Sequence, residues 1–151
     1  MTTATATKIA DWIENLGTVV NATSDTFRIA LSNTAPASET NNPTATGNGV
    51  LANVTQVSYT NYSDNLTVDR QLQSVTFAEA AGTTKFDAAD FIITASGGTL
   101  ATFRYIYVYD DTPTSPADPL VQVWDYGSGI SLADTQTATI TFHANGMFTI
   151  A

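Results

Sequence analysis

The chain has 151 residues and no cysteine, with 13% charged residues and a formal net charge of −9. That length is one domain, enough to bury about two thirds of the surface an unfolded chain exposes, and without cysteine neither a disulfide framework nor a thiolate metal site is open to it. Charge is sparse against the roughly 25% of an average domain, and the cations Lys8, Arg28, Arg70, Lys85 and Arg104 are scattered singly, which excludes the clustered basic footprint of a nucleic-acid binder.

The opening MTTATATKIADWIENLG lacks a basic start followed by an apolar core, and no apolar run approaches the ~20 residues of a membrane span. We therefore expect a soluble chain that begins here. Ile9, Trp12, Ile13 and Leu16 fall at i, i+3, i+4 and i+7 with Gly17 just beyond, the pattern of one short amphipathic helix. So short a helix is unstable alone and must dock on its own sandwich or on a neighbouring subunit.

Phe27, Ile29 and Leu31 alternate with polar or small residues, a half-buried strand that ends at Asn33 and Pro36. Asn33 to Gly49 is a polar loop longer than the usual connection, and such loops are normally functional or mobile. Val50 to Tyr59 fits neither the helix nor the strand pattern cleanly. Leu66 to Glu79 contains the alternation of Val75 and Phe77, and Thr84 to Ala95 holds Phe86, Phe91, Ile92 and Ile93 before the turn Ser96-Gly97-Gly98. The two read as strands paired across a hairpin.

In Phe103 to Tyr109 both alternating faces are apolar or aromatic, as in a central strand covered on both sides. Val121 to Tyr126 is its companion, bounded by Gly127 and Gly129, and Pro113, Pro116 and Pro119 make the connection a rigid solvent-facing loop. Thr137 to Phe142 points Ala138, Ile140 and Phe142 inward and threonines outward, and Asn145-Gly146 signals a hairpin into Phe148 and Ile150. About seven to nine short strands with one helical segment predict an all-β fold, an antiparallel two-sheet sandwich of jelly-roll type with one short N-terminal helix. We expect residues 1–17 to form an N-terminal arm with the short helix and residues 18–151 a single sandwich domain.

Catalytic readings meet plain ones at every candidate. His143 is the sole histidine, stands at a strand end, and has no G-x-S-x-G nucleophile elbow to serve. The carboxylates Asp87 and Asp90, Asp110 and Asp111, and Asp64 and Asp69 would hydrolyse glycosides only if the fold set two of them across a cleft; as turn and cap residues they need no such placement. Calcium would use the same loops, without an EF-hand pattern. Asn21, Asn53, Asn61 and Asn65 head N-x-S/T triplets, which arise by chance in a chain where roughly one residue in six is threonine. Tyr105, Tyr107, Tyr109 and Trp124 are suited to stacking on sugar, but strand aromatics are more often core.

The ordered pieces IALSNTAP at 29–36, TASGGT at 94–99, DTPTSPADPL at 111–120 and VWDYGSG at 123–129 resemble a group of small tailed-bacteriophage virion proteins. In that group an aliphatic-Ser-Asn-Thr-Ala-Pro strand end comes early, a Gly-Gly turn precedes an aromatic strand, and a Thr-Pro/Asp-Pro loop leads into a Trp-Asp-Tyr-Gly strand. The likeness spans Phe27 to Ile150 and departs from shorter members in the loop Asn33 to Gly49. Such proteins resemble head decoration, or cement, proteins. The resemblance implies a non-enzymatic virion subunit that assembles in the host cytoplasm and sits on the capsid exterior, bridging major capsid protein subunits, often as a trimer, without cofactor or metal. The alternatives are a phage tail or tail-tip component, and a carbohydrate-binding or adhesin sandwich. The apolar stripe of Ile9, Trp12, Ile13 and Leu16 is the expected contact surface.

Overall fold

The structure, a computed structural model, describes residues 3–150. Along the chain the elements are β1 (Thr5–Lys8), α1 (Trp12–Thr18), β2 (Phe27–Ser32), β3 (Tyr62–Asp64), β4 (Thr76–Ala80), β5 (Thr83–Asp87), β6 (Phe91–Ala95), β7 (Phe103–Asp110), β8 (Leu120–Ile130), β9 (Thr137–Ile140) and β10 (Phe148–Ile150), with short 3-10 turns at Pro36–Ser38 and Leu51–Asn53. All strand pairing is antiparallel. One layer is a four-stranded sheet in the order β1-β8-β7-β2, and facing it are two three-stranded sheets, β10-β5-β4 and β3-β6-β9. The expected all-β sandwich with one short helix is what this sequence forms.

Register explains the doubly apolar strand. Tyr105 and Tyr107 on β7 lie opposite Ser32 and Ala30 on β2 and opposite Asp125 and Val123 on β8, so by the two-residue period they share one face of the sheet. Ile106 and Val108 share the other, beside Leu31 and Ile29. That second face meets the three-stranded sheets: Phe27 and Phe86 pack edge to face at 4.9 Å, and Trp124 reaches Phe142 at 5.9 Å. The tyrosine face is roofed by the polar loop after β2. The loop is pinned at several points: Ser32 Oγ donates to the Thr55 carbonyl at 2.7 Å, the Leu31 N–H to Tyr59 Oη at 2.9 Å, and the Thr55 N–H and hydroxyl to the Glu39 carboxylate at 2.7 and 2.8 Å. Within the loop 33–49 it is Glu39 that makes the last of these ties, and the loop lies as a cover over the sheet.

Of the residues expected to form an arm with the short helix, Thr5–Lys8 add a strand to the four-stranded sheet and the helix packs on the core; residues 1 and 2 lie outside the described residues. β1 pairs with β8 from Thr5↔Asp125 to Lys8↔Gln122, and its neutral Thr-Ala-Thr pattern hides it from any search for apolar alternation. Ile9 precedes the helix and is fully buried, while Trp12 opens it and packs edge-on to Phe27, Phe86 and Phe148 at 6.5, 6.0 and 5.6 Å. The helix runs through Gly17 to Thr18.

Three other boundaries differ from expectation. The segment Thr84 to Ala95 breaks at Ala88–Asp90, so β5 hairpins with β4 while β6 crosses to the third sheet; Asp90 marks the break by accepting the Phe142 N–H at 2.9 Å. β8 continues past Gly127 and Gly129 to Ile130. The Asn145-Gly146 turn does not close a hairpin, because β9 pairs with β6 and β10 with β5. Gly146 is required there all the same: its φ is +80°, and a Cβ would lie 2.5 Å from the Phe86 carbonyl oxygen.

Candidate functional site

The acidic composition has a structural use that the net charge conceals. Ten of the fourteen carboxylates, Asp11, Asp25, Glu39, Asp64, Glu79, Asp87, Asp90, Asp110, Asp125 and Asp134, accept backbone N–H groups, mostly in loops and turns. Charge-assisted bonds of this kind are stronger than neutral ones. The clearest is Asp11, which leaves the N-terminus of α1 uncapped and instead accepts the N–H groups of Gly47 and Gly49 at 2.9 Å. Gly49 packs so tightly on Ile9 that a Cβ would sit 2.8 Å from its Cγ2. Four of the five cations are likewise engaged, in the ion pairs Arg28–Asp111, Arg70–Asp69, Lys85–Asp87 and Arg104–Asp125.

The sequence candidates separate in space. His143 is exposed and accepts the Asn145 N–H through Nδ1 at 3.0 Å, a turn role. Asp87 holds Lys85, Asp90 holds the Phe142 N–H, and Asp64 gathers the Leu66 and Arg70 N–H groups with the Tyr62 hydroxyl. All four triplet asparagines serve turns; Asn61, with φ 66°, donates to the Thr99 carbonyl, and Asn65 accepts the Ile92 N–H. Tyr105, Tyr107 and Tyr109 are buried and Trp124 is half-buried. Burial pushes the Tyr109 phenol up to about 12. Of the four residues on the expected contact stripe, Ile9 and Trp12 are spent in the core, Leu16 packs against it, and only Ile13, at 45% exposure, faces outward.

Two hollows border these elements. One, of about 290 Å³, lies between the roofing loop and the tyrosine face and is lined by Thr7, Pro36, Asn42, Thr44, Tyr105 and Asp125. Its one carboxylate is already committed: Arg104 grips Asp125 through two bonds of 2.7 and 2.8 Å and holds it below the usual carboxylate range. A carboxylate so held is a poor proton donor or acceptor near neutrality. The other, of about 250 Å³, lies between α1 and the proline loop and is bordered by Asp11, Glu14, Asn15, Gly47, Gly49 and Pro116. Ile13 and Glu14 are exposed on this helix, and Pro116 is exposed on the loop.

One close carboxyl pair does exist, and it was not among the pairs the sequence brought forward. Asp110 closes β7 and is fully buried; its Oδ1 accepts the Thr112 N–H at 3.0 Å, while Oδ2 has no donor. The carboxyl of Asp25, from the turn before β2, lies within hydrogen-bonding reach. Burial first, and then Asp25, push Asp110 up to about 7 against the pull of the Thr112 N–H. The signal was present in the alternation: Ile106, Val108 and Asp110 share a face, so continuing the strand by one residue carries a carboxylate inward. Carboxyls within hydrogen-bonding reach of one another leave no room for a substrate between them, whereas a glycosidase holds its pair about 5 to 9 Å apart around the scissile bond.

Among the described residues no group of three or more histidine or acidic side chains is placed to hold a metal, and no helix is long and apolar enough to cross a membrane. Comparison with protein-family models, with curated proteins and with solved structures finds no match to this chain.

Proposed function

We propose that this chain is a structural, non-enzymatic protein of a tailed-phage virion, a head decoration subunit that binds the outside of the capsid and bridges neighbouring copies of the major capsid protein, as a homotrimer. The observation that carries the reading is where the phage-like pieces fall. IALS is β2, the aromatic run is β7 and VWDYGSG lies within β8, three adjacent strands of one sheet. NTAP and the Asp-Thr-Pro loop are the turns that leave β2 and join β7 to β8, and SGG leaves β6, the strand of the facing sheet that precedes β7 in the chain. The strand pieces of the resemblance thus lie side by side, which supports reading them together.

The physical character of the molecule suits the role. A cement subunit must present a fixed shape to many equivalent sites, and loops tied by carboxylates to backbone N–H groups are fixed at little cost in later binding entropy. Engaged cations leave no basic stripe to grip packaged DNA, and the net charge of −9 would steer the subunit to a basic shell surface, raising the association rate more than the affinity. The contact we assign is the outward face of α1, Ile13 and Glu14, with the tip of the proline loop beside it. Co-sedimentation of the purified chain with empty head shells tests this. Saturable binding that Ile13→Lys abolishes supports the reading; wild-type protein that stays in the supernatant at every concentration removes it.

A further inference from the structure

The Asp25–Asp110 pair joins two segments far apart in sequence. Asp25 ends a compact turn in which the Ser24 and Asp25 N–H groups bond to the Asn21 carbonyl and the Asn21 N–H returns to Asp25 Oδ2 at 2.6 Å. Asp110 opens the loop from β7 to β8. The same two segments are stitched by the Thr26 N–H to Thr112 Oγ1 at 2.8 Å and the Asp111 N–H to the Thr26 carbonyl at 2.8 Å. Asp110 Oδ2 is a buried acceptor without a donor, and the stitched segments bring the Asp25 carboxyl within hydrogen-bonding reach of Asp110, an arrangement that is untenable if both are ionised.

We infer that Asp25 and Asp110 share one proton, and that this proton is a latch holding the 21–25 turn onto the start of the β7–β8 loop. With the proton in place, one carboxyl donates to the other and the buried oxygen is satisfied. When it leaves, a second negative charge appears on or beside the buried Asp110 carboxyl, which water does not reach, and the turn is driven off the loop. Other charges nearby do not replace it. Arg28 on β2 is engaged by Asp111 at 2.7 Å, an approach off the N–H axis and so an ion pair without a directed bond; Asp118, further along the loop, adds a negative charge. The Asp110 main chain pairs with Phe27 on β2 and donates to the Pro119 carbonyl, neither of them charged.

The sign follows from linkage. Asp110 titrates near 3.8 when free and at about 7 in the closed state, so closure is favoured most below the lower value. It weakens by up to about tenfold per pH unit between the two and levels off above the upper one. Amide exchange protection, corrected for intrinsic rates, should accordingly fall by tenfold or more at residues 22–26 and 110–112 between about pH 5 and about pH 7.5. Elsewhere in the sheet it should stay level. Asp110→Asn supplies a permanent donor and should make protection at these sites independent of pH; Asp25→Asn, at a half-exposed residue the fold tolerates more easily, should do the same. Infrared spectra of wild-type protein with labelled aspartate should show a protonated carboxyl at about pH 5.5 that is gone by about pH 8.5. Flat wild-type protection, or an undiminished fall in both variants, overturns the latch. So does protection restored by calcium chloride at the higher pH, which would make the occupant a cation.

Discussion

Trp12 and Ile13 are neighbours on one helix with opposite fates, and substituting them separately tests whether the N-terminal segment belongs to the core. Trp12 is 2% exposed. A tryptophan buries about 150 to 250 Å², and at about 25 cal/mol per Å² its removal forfeits about 4 to 6 kcal/mol, in line with the ~3 to 5 kcal/mol measured for large-to-alanine changes in cores. That is a large share of the ~5 to 15 kcal/mol that holds a domain together. With a urea slope of about 2 kcal/mol per molar, Trp12→Ala should lower the unfolding midpoint by about 2 M. Trp12→Phe should cost far less, because the buried indole N–H has no acceptor and its loss relieves an unsatisfied donor. Ile13→Lys should shift stability by less than about 0.5 kcal/mol. Urea unfolding followed by circular dichroism reads all three without relying on the altered fluorophore. If Trp12→Ala unfolds within about 1 kcal/mol of wild type, the segment is an arm after all and the packing argument fails.

Asp11→Ala frees the Gly47 and Gly49 N–H groups; since Asp11 is half-exposed and water can replace it in part, we expect a loss of about 1 to 3 kcal/mol in urea melts, with exchange protection lost at those two amides. Gly146→Ala should destabilise by more than about 1 kcal/mol, from the positive φ and the clash with the Phe86 carbonyl together, and a thermal melt matching wild type would contradict this. The Asp125 carboxyl is held low by Arg104, so the stability it contributes is present above the ordinary carboxylate range and disappears as pH falls through its lowered value. Arg104→Gln should therefore unfold at a higher pH in an acid titration. An unchanged acid midpoint would show the pair to be inert.

What the sequence disclosed, and what it hid, divides along physical lines. Strands that bury one or both faces announce themselves by alternation, which is why β2, β7 and the first half of β8 were legible and why Thr137 to Phe142 oriented correctly. β1 and β3 pair through the backbone with little apolar side-chain signal, since Thr-Ala-Thr-Lys and Tyr-Ser-Asp read as loop. The Ala88–Asp90 break escaped notice because Phe86 and Phe91 are both buried, in different sheets, and an apolar tally cannot tell one strand from two. Helical spacing placed Ile9 on the helix although it precedes it, and left open whether the stripe docks on its own sandwich or on a neighbouring subunit. Tertiary burial decides that question and periodicity alone does not. The loop carboxylates looked like turn formers, which most of them are; that Asp25 and Asp110 meet depends on bringing residues 85 positions apart to one end of the sheet, and no local pattern carries that.

Under the virion role we propose, cryo-electron microscopy of intact particles tests the central claim most directly, because position, symmetry and contacts come from one map. The account predicts density for this sandwich on the outer surface of the head, in three-fold clusters between capsomers, with the α1 face and the proline loop turned toward the shell. Density confined to the tail, or heads fully resolved without this fold on them, would contradict it.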